Sequence, residues 1–328
     1  MKIIAYAYRP DETIAFERFS KELNLDVTYV KECLSPENAH LAEGIEAVAI
    51  LGNCNAKREV LEKLSKCGVK YLASRSAGYN NIDLEAAKDF GIRVSNATYS
   101  PNSVADFATM LALMLNRRVI ESIKRNQGHD YTLGGLMGNE LRNQVVGVIG
   151  TGRIGQTVIK NFSGFGPKIL AYDLYPNEEM KKYVEYVDLD TLLGEADIIT
   201  LHAPLFESNY HLINKETIAK MKDGVKIINT ARGELIDTFD LIDGLKNGKI
   251  GGAGLDVIEN ELGIFHSDCR FKTIDHDGLA ILKGLPNVIL TPHCAFYTDQ
   301  AVSDMVECGL RSLHSFLVNG NSSWEISL

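Results

Sequence analysis

Apolar and polar residues come in short blocks along this 328-residue chain. Five runs rich in Ile, Val, Leu, Ala and Tyr occupy the first hundred residues: "KIIAYAY", "DVTYV", "EAVAIL", "VKYLASRS" and "IRVSNA". They are nearly continuous rather than strictly alternating, the pattern of strands covered on both faces. Between them, "DETIAFERFSKEL", "KREVLEKLSKCG" and "DLEAAKDFG" carry apolar residues at helical spacing, and Gly68 is placed to end the second helix. Apolar strands joined by amphipathic helices predict a parallel sheet with helices on both sides.

A long apolar helix follows, in "YSPNSVADFATMLALMLNRRVIESIKRNQ". Pro101 suits its first turn, Asn102 or Ser103 suits its cap, and the pattern predicts about twenty helical residues. Its middle, "MLALML", is apolar nearly all round, which predicts burial on more than one side, either inside the domain or also against a second subunit. From Val145 the strand–helix alternation restarts with "VVGVIG", "KILAYD", "DIITLHA", "VKIINTA", "IGGAGLDV" and "NVILTPH". An irregular stretch, Glu259 to Pro286, separates the last two strands, and "TDQAVSDMVECGLRSLHSFLVNG" reads as a closing helix. The chain thus holds two α/β series.

The second series opens on Gly150, Gly152 and Gly155, between the strand "VVGVI" and the helix "RIGQTVIKNF". The first glycine permits a tight turn, the second lets a pyrophosphate approach the backbone, and the third lets helix and strand pack closely. The helix N-terminus offers unpaired N–H groups to phosphates. Asp173 ends the next strand, 18 residues after Gly155, where a carboxylate accepts hydrogen bonds from the adenosine ribose. It repels a 2′-phosphate, and Leu174 and Tyr175 supply no arginine, so NAD is expected over NADP.

Open α/β sheets bind ligands beyond the carboxyl ends of their strands. There the second series places Arg232, Asp256, Glu261 and His293, with His202, Ala203 and Pro204 after "DIITL". A guanidinium clamps a carboxylate through two parallel hydrogen bonds and polarises a neighbouring carbonyl. An imidazole exchanges a proton near neutral pH, and a carboxylate beside it stabilises its charged form. Reduction of a 2-oxo acid needs these functions together, because hydride reaches carbon while a proton reaches oxygen.

The charge is −9, so phosphate backbones and anionic membrane surfaces are repelled, and neither a nucleic acid nor a membrane partner is expected. No stretch has the roughly 18 uninterrupted apolar residues of a membrane helix. The N-terminus lacks a signal-peptide cleavage site. Six dispersed cysteines without a C-x-x-C suggest free thiols in a reducing cytoplasm. Cys294, beside His293, reads as a packed small side chain. His129, His211, His266, His276 and His314 show no ligand spacing, so no metal is expected.

Over nearly its whole length the chain resembles the NAD-dependent D-2-hydroxyacid dehydrogenases, most closely the D-lactate and (R)-aryllactate branch. The matching stretches are "RSAGYNNID", "YSPNSVADFA", "GVIGTGRIGQ", "ADIITLHAPLFESNYHLIN", "MKDGVKIINTARGELID", "GGAGLDVIENE" and "NVILTPHCAFYT". The resemblance implies two doubly wound parallel-sheet domains with a cleft between them. Residues 1–99 plus 299–328 would form a flavodoxin-like substrate domain, with a Rossmann NAD domain, residues 100–298, inserted and pairing two copies as a homodimer. Hinges would fall near Tyr99–Pro101 and Cys294–Thr298.

By the same resemblance Arg232 binds the substrate carboxylate and activates the carbonyl, His293 donates the proton, and Glu261 orients His293. The backbone of Ala77 and Gly78 holds the other side of the carboxylate, and Tyr99 closes over the substrate. Arg153, Ile154, Ala203, Pro204, Asn209, Thr230, Ala231 and Asp256 complete the NAD site. Relatives often read V-P-A-Y-S-P-N where this chain has "NATYSPN", so the proline before Tyr99 is missing here. Leu51 and Phe296 lie beside the substrate's side chain in the family. Both are apolar here, which disfavours a second carboxylate or a phosphate. The expected reaction is NADH-dependent reduction of an apolar 2-oxo acid to the D-(R)-2-hydroxy acid. Pyruvate comes first, with phenylpyruvate and 2-oxoisocaproate as alternatives. A reading of another class is an NAD-sensing protein-interaction module, since the fold alone does not fix the function.

Overall fold

A computed structural model describes residues 1–326 of the chain. The chain divides into two compact units, Met1–Ser100 with the chain from Tyr297 on, and Pro101–Phe296.

The first unit is built on β1 (Lys2–Ala5), β2 (Asp26–Tyr29), β3 (Ala47–Ile50), β4 (Tyr71–Ser74) and β5 (Arg93–Ser95). They form a parallel sheet in the order β2-β1-β3-β4-β5, the flavodoxin-like arrangement. One face packs against helices Thr13–Glu22 and Asp299–Asn319 through Phe16, Phe19, Val306, Leu310 and Leu313. The other buries Val60, Leu61, Leu64, Ala86 and Ala87 of helices Arg58–Lys66 and Leu84–Asp89. Thr298 caps the terminal helix by accepting from the Ala301 N–H, and Gly320, at φ 71°, ends it in the left-handed region.

The second unit carries β6 (Val145–Ile149), β7 (Lys168–Tyr172), β8 (Glu185–Tyr186), β9 (Ile198–Leu201), β10 (Val225–Asn229), β11 (Ile250–Leu255) and β12 (Val288–Leu290). Their order, β12-β11-β10-β9-β6-β7-β8, is the doubly wound Rossmann order with an added strand. Every pairing is parallel. The order reverses between β6 and β9, so a crevice opens beyond their carboxyl ends, where the glycine turn sits.

Three expectations need correction. The long apolar helix is two helices, Asn102–Asn116 and Val119–Gln127, because Arg118 adopts a left-handed φ of 51°. Asn102 opens the first of these and Pro101, not Asn102 or Ser103, holds the capping position. The supposedly irregular stretch from Glu259 to Pro286 contains a helix, Asp277–Gly284, whose start is capped by His276 Nδ1 accepting the Leu279 N–H at 3.1 Å. Strand β8 was not foreseen. Its two residues give no periodic signal. Among the described residues no helix is long and apolar enough to cross a membrane.

Candidate active site

The dinucleotide crevice is built from the glycine turn upward. Gly150 has φ 91°, and a Cβ there would lie 2.6 Å from the Ala203 nitrogen. A Cβ on Gly155 would lie 2.0 Å from the Gly150 carbonyl oxygen. Both positions therefore exclude a side chain, while a Cβ on Gly152 would meet nothing within 4 Å. Gly152 thus presents bare backbone at the start of helix Arg153–Ser163, the cradle a pyrophosphate needs. Ile154 packs into the core beneath it.

At the end of β7, Asp173 Oδ2 accepts from the Thr151 N–H at 2.5 Å and its hydroxyl at 2.9 Å, while Oδ1 accepts the Tyr175 N–H at 2.8 Å. The carboxylate is held in place and keeps lone pairs for a ribose. After β9, Asn209 braces its own loop, donating to the Pro204 carbonyl at 2.8 Å and accepting the Phe206 N–H at 2.7 Å. Two buried polar atoms at these strand ends have no hydrogen-bond partner among the described residues, Thr230 Oγ1 and His202 Nδ1. Such atoms are rare in native interiors and suit a site made for a polar ligand. The residues present therefore fit NAD.

Strand register explains the reacting groups. Asn229, Leu255 and Leu290 sit in one row across β10, β11 and β12. Arg232 and His293 each lie three residues past that row, on strands about 10 Å apart, and the loop from β11 carries Glu261 between them. The three loops are fastened together. A Cβ on Gly233 would lie 2.0 Å from the Ile258 carbonyl carbon, so the Arg232 loop rests directly on the Glu261 loop. Glu261 Oε2 accepts the Ile258 N–H at 3.1 Å, and its Oε1 pairs with His293 Nδ1. His293 has φ 53°, uncommon for a side-chain-bearing residue, and its N–H donates to the Asp256 carbonyl at 2.8 Å.

Asp256 fixes this loop. It is fully buried, its Oδ1 accepts the Thr291 hydroxyl at 2.5 Å and the Cys294 N–H at 2.9 Å, and its Oδ2 accepts the Ala295 N–H at 2.8 Å. It therefore holds this loop in place. Burial and the neighbouring Asp256 push the Cys294 thiol up to about 11, so it is not a thiolate at neutral pH. Arg232 Nη1 donates to the Ala231 carbonyl at 2.6 Å, and Asn229 ties down both residues through the Ala231 N–H and the Arg232 carbonyl. Phe296 closes the unit with its ring 6.4 Å from that of His293.

Sequence reasoning gave no supporting role to three residues. His266 Nε2 lies 2.9 Å from the His293 carbonyl. Glu259 accepts the Thr238 N–H at 2.9 Å through Oε2 and contacts His211 Nε2 at 2.7 Å through Oε1. His202 is buried, and desolvation holds it down to about 3, so the ring is neutral, with Nε2 2.8 Å from Thr200 Oγ1. These residues act through loops and backbone groups, where no periodicity betrays them.

In the first unit, Asn96 Nδ2 donates to the Ala77 carbonyl at 2.8 Å and the Ser76 hydroxyl donates to the Gly78 carbonyl at 2.7 Å. The peptide groups of this loop are thus set by neutral partners. Leu51 is a core residue at the start of the turn after β3. Tyr99 lies at the end of the unit's first segment.

A glycine turn with a carboxylate at the end of the next strand, together with an arginine and a glutamate-paired histidine at the strand ends, marks an NAD-dependent oxidoreductase. Residues 109–295 match the family described as D-isomer specific 2-hydroxyacid dehydrogenase, NAD binding domain. The aromatic 2-oxoacid reductase of Clostridium sporogenes is 54% identical over 322 residues, 98% of this chain and 97% of that protein. The D-lactate dehydrogenase of Lactiplantibacillus plantarum is 41% identical over 329 residues, 99% of both. The solved structure of a D-2-hydroxyisocaproate dehydrogenase aligns with a TM-score of 0.91 at 40% identity, covering 99% of both chains. The chain belongs to the D-isomer-specific 2-hydroxyacid dehydrogenases and is an NAD-dependent 2-oxo-acid reductase.

Proposed function

We infer that this enzyme reduces 2-oxo acids with large apolar side chains to the D-(R)-2-hydroxy acid, aromatic ones ahead of pyruvate. The observation that carries this order is the 54% identity to an aromatic 2-oxoacid reductase, against 41% to a D-lactate dehydrogenase of similar coverage. Pyruvate, expected first from sequence, follows the aromatic acids in this reading. The apolar Leu51 and Phe296 support a side chain without charge.

NADH, when bound, supplies the hydride. Arg232 binds the substrate carboxylate and polarises the 2-oxo group. His293 Nε2 gives the proton to the oxygen, while Glu261 on Nδ1 fixes the ring's orientation and stabilises its charged form. Ala77 and Gly78 offer peptide groups to the carboxylate, and Tyr99 shields the substrate. Residues 1–99 with 299–328 serve as the substrate domain and residues 100–298 as the NAD domain.

The enzyme works as a homodimer through the NAD domain. Met110, Leu113, Met114, Ile123 and Phe165 line a groove of about 910 Å³ on the face of helix Asn102–Asn116 away from the sheet. Met110, Ile123 and Phe165 are exposed there, which a second copy would relieve. Six free thiols suit a reducing cytoplasm.

Steady-state kinetics with phenylpyruvate, 2-oxoisocaproate, pyruvate and 2-oxoglutarate test the order. The expected kcat/KM falls in that sequence. A higher value for pyruvate than for phenylpyruvate overturns it, and absence of turnover with all four favours the NAD-sensing reading.

A further inference from the structure

Two cysteines far apart in sequence meet in the first unit. Cys33 follows β2, and Cys54 ends the turn that follows β3. The Leu34 N–H donates to Cys54 Sγ at 3.4 Å, and the Asn55 N–H donates to the Leu34 carbonyl at 3.0 Å. The backbone next to one cysteine is therefore bonded to the side chain of the other and to the residue after it. Cys54 Sγ therefore sits against the peptide that directly follows Cys33.

The pair is asymmetric. Cys33 is half-buried, and the neighbouring Cys54 thiol brings its thiol down to about 7 against an opposing effect of burial. Cys54 is buried, and the same contact, followed by burial, pushes its thiol well up. One sulfur is thus a ready thiolate reachable from solvent and the other a protected thiol beside it, the arrangement of an attacking and a resolving cysteine. Cys294 and Cys308 are shifted upward by burial.

We propose that Cys33 and Cys54 form a reversible oxidation site, closed to a disulfide by hydrogen peroxide, that weakens binding of the 2-oxo acid. The Cys33 thiolate attacks one peroxide oxygen. An S–O bond forms, the O–O bond breaks, and the departing hydroxide takes a proton to become water. The Cys54 sulfur then attacks the Cys33 sulfur. The S–S bond forms, the S–O bond breaks, and hydroxide leaves as a second water with the Cys54 proton. Two thiols are oxidised by two electrons and one peroxide is reduced to two waters.

The link to the substrate lies in the turn. The Cys54 N–H donates to the Leu51 carbonyl at 3.0 Å, and Asn81 Nδ2 bridges the Leu51 and Cys54 carbonyls at 3.2 and 3.0 Å. A Cβ on Gly52 would lie 3.2 Å from Ser76 Oγ, so the turn also touches the Ser76–Gly78 loop. Joining the two sulfurs at about 2.05 Å replaces the Leu34 N–H contact of Cys54 Sγ and pulls Cys54 and this turn toward Cys33. This coupling rests on the proposed roles of Leu51, Ala77 and Gly78.

The test treats the intact enzyme with hydrogen peroxide, maps its peptides by mass, and measures KM for phenylpyruvate and for NADH before and after dithiothreitol. The expected result is a linked Cys33–Cys54 peptide, a several-fold rise in KM for phenylpyruvate, an unchanged KM for NADH, and full reversal by the thiol. C33S should abolish the peptide and the KM change, and C54A should leave a Cys33 sulfenic acid that dimedone traps. No linked peptide, a Cys33–Cys67 link, or a linked peptide with unchanged KM overturns the proposal. Failure of the reduced enzyme to use aromatic 2-oxo acids overturns the substrate reading instead, because the mass map decides the thiol pair without any substrate.

Discussion

The two sheets end in loops that are held by different chemistry. Beyond β10, β11 and β12, carboxylates do most of the holding, beside the Asn229 amide under Arg232: Asp256 takes two N–H groups and a hydroxyl, Glu261 takes the Ile258 N–H and His293, and Glu259 takes Thr238 and His211. Beyond β3 and β4, the loops are held by the amides of Asn81 and Asn96 and the hydroxyl of Ser76. The first unit has a buried ion pair, Arg75 with Glu12, but it joins the end of β4 to the segment after β1 and holds neither turn. Hydrogen bonds to charged groups are about twice as strong as neutral ones. The loops proposed to serve the cofactor and the proton transfer therefore rest on stronger hydrogen bonds than those proposed to meet the substrate's side chain.

The largest effect should come from the charged side. His293→Ala should lower kcat by about 10²–10⁴-fold, as on loss of a general acid, while NADH fluorescence titration shows binding intact. Unchanged turnover would remove His293 from the chemistry. Arg232→Lys should raise KM for the 2-oxo acid and lower kcat together, about tenfold or more in kcat/KM, since a point charge cannot reproduce a planar fork. Identical kinetics would argue against a two-pronged clamp.

The comparison itself is tested by a matched pair. Asp256→Asn should destabilise by about 3 kcal/mol and Asn81→Ala by about 1–2 kcal/mol, read from urea unfolding. Equal losses would erase the distinction. The last effect concerns His202. Its folded-state value near 3 lies below the ordinary 6.5, so the unfolded chain takes up a proton that the folded one refuses. The stability it contributes is complete above pH 6.5 and is lost as pH falls towards 3, by roughly 1.4 kcal/mol per pH unit. His202→Gln should flatten that slope between pH 7 and pH 5, and an unaltered slope would place the titration elsewhere.

Much of this was legible from residue order, for physical reasons. Doubly covered strands must be apolar throughout, so β1, β3, β6 and β9 announced themselves, and parallel register carried Arg232 and His293 to one rim. What escaped lay outside any period. Strand β8 pairs only Glu185 and Tyr186 with β7 at the sheet edge. The helix break rests on the backbone of Arg118, a residue with no special turn propensity. His266 was invisible because its partner is a carbonyl, which every residue has.

The left-handed backbone at His293 sets a limit on redesign at that position. In a saturation library of codon 293, Gly, Asn and Asp should accumulate as soluble protein, whereas Val, Ile and Thr should be lost to misfolding before any assay. Activity tables from such a library would confuse conformational tolerance with proton donation unless yields were measured alongside.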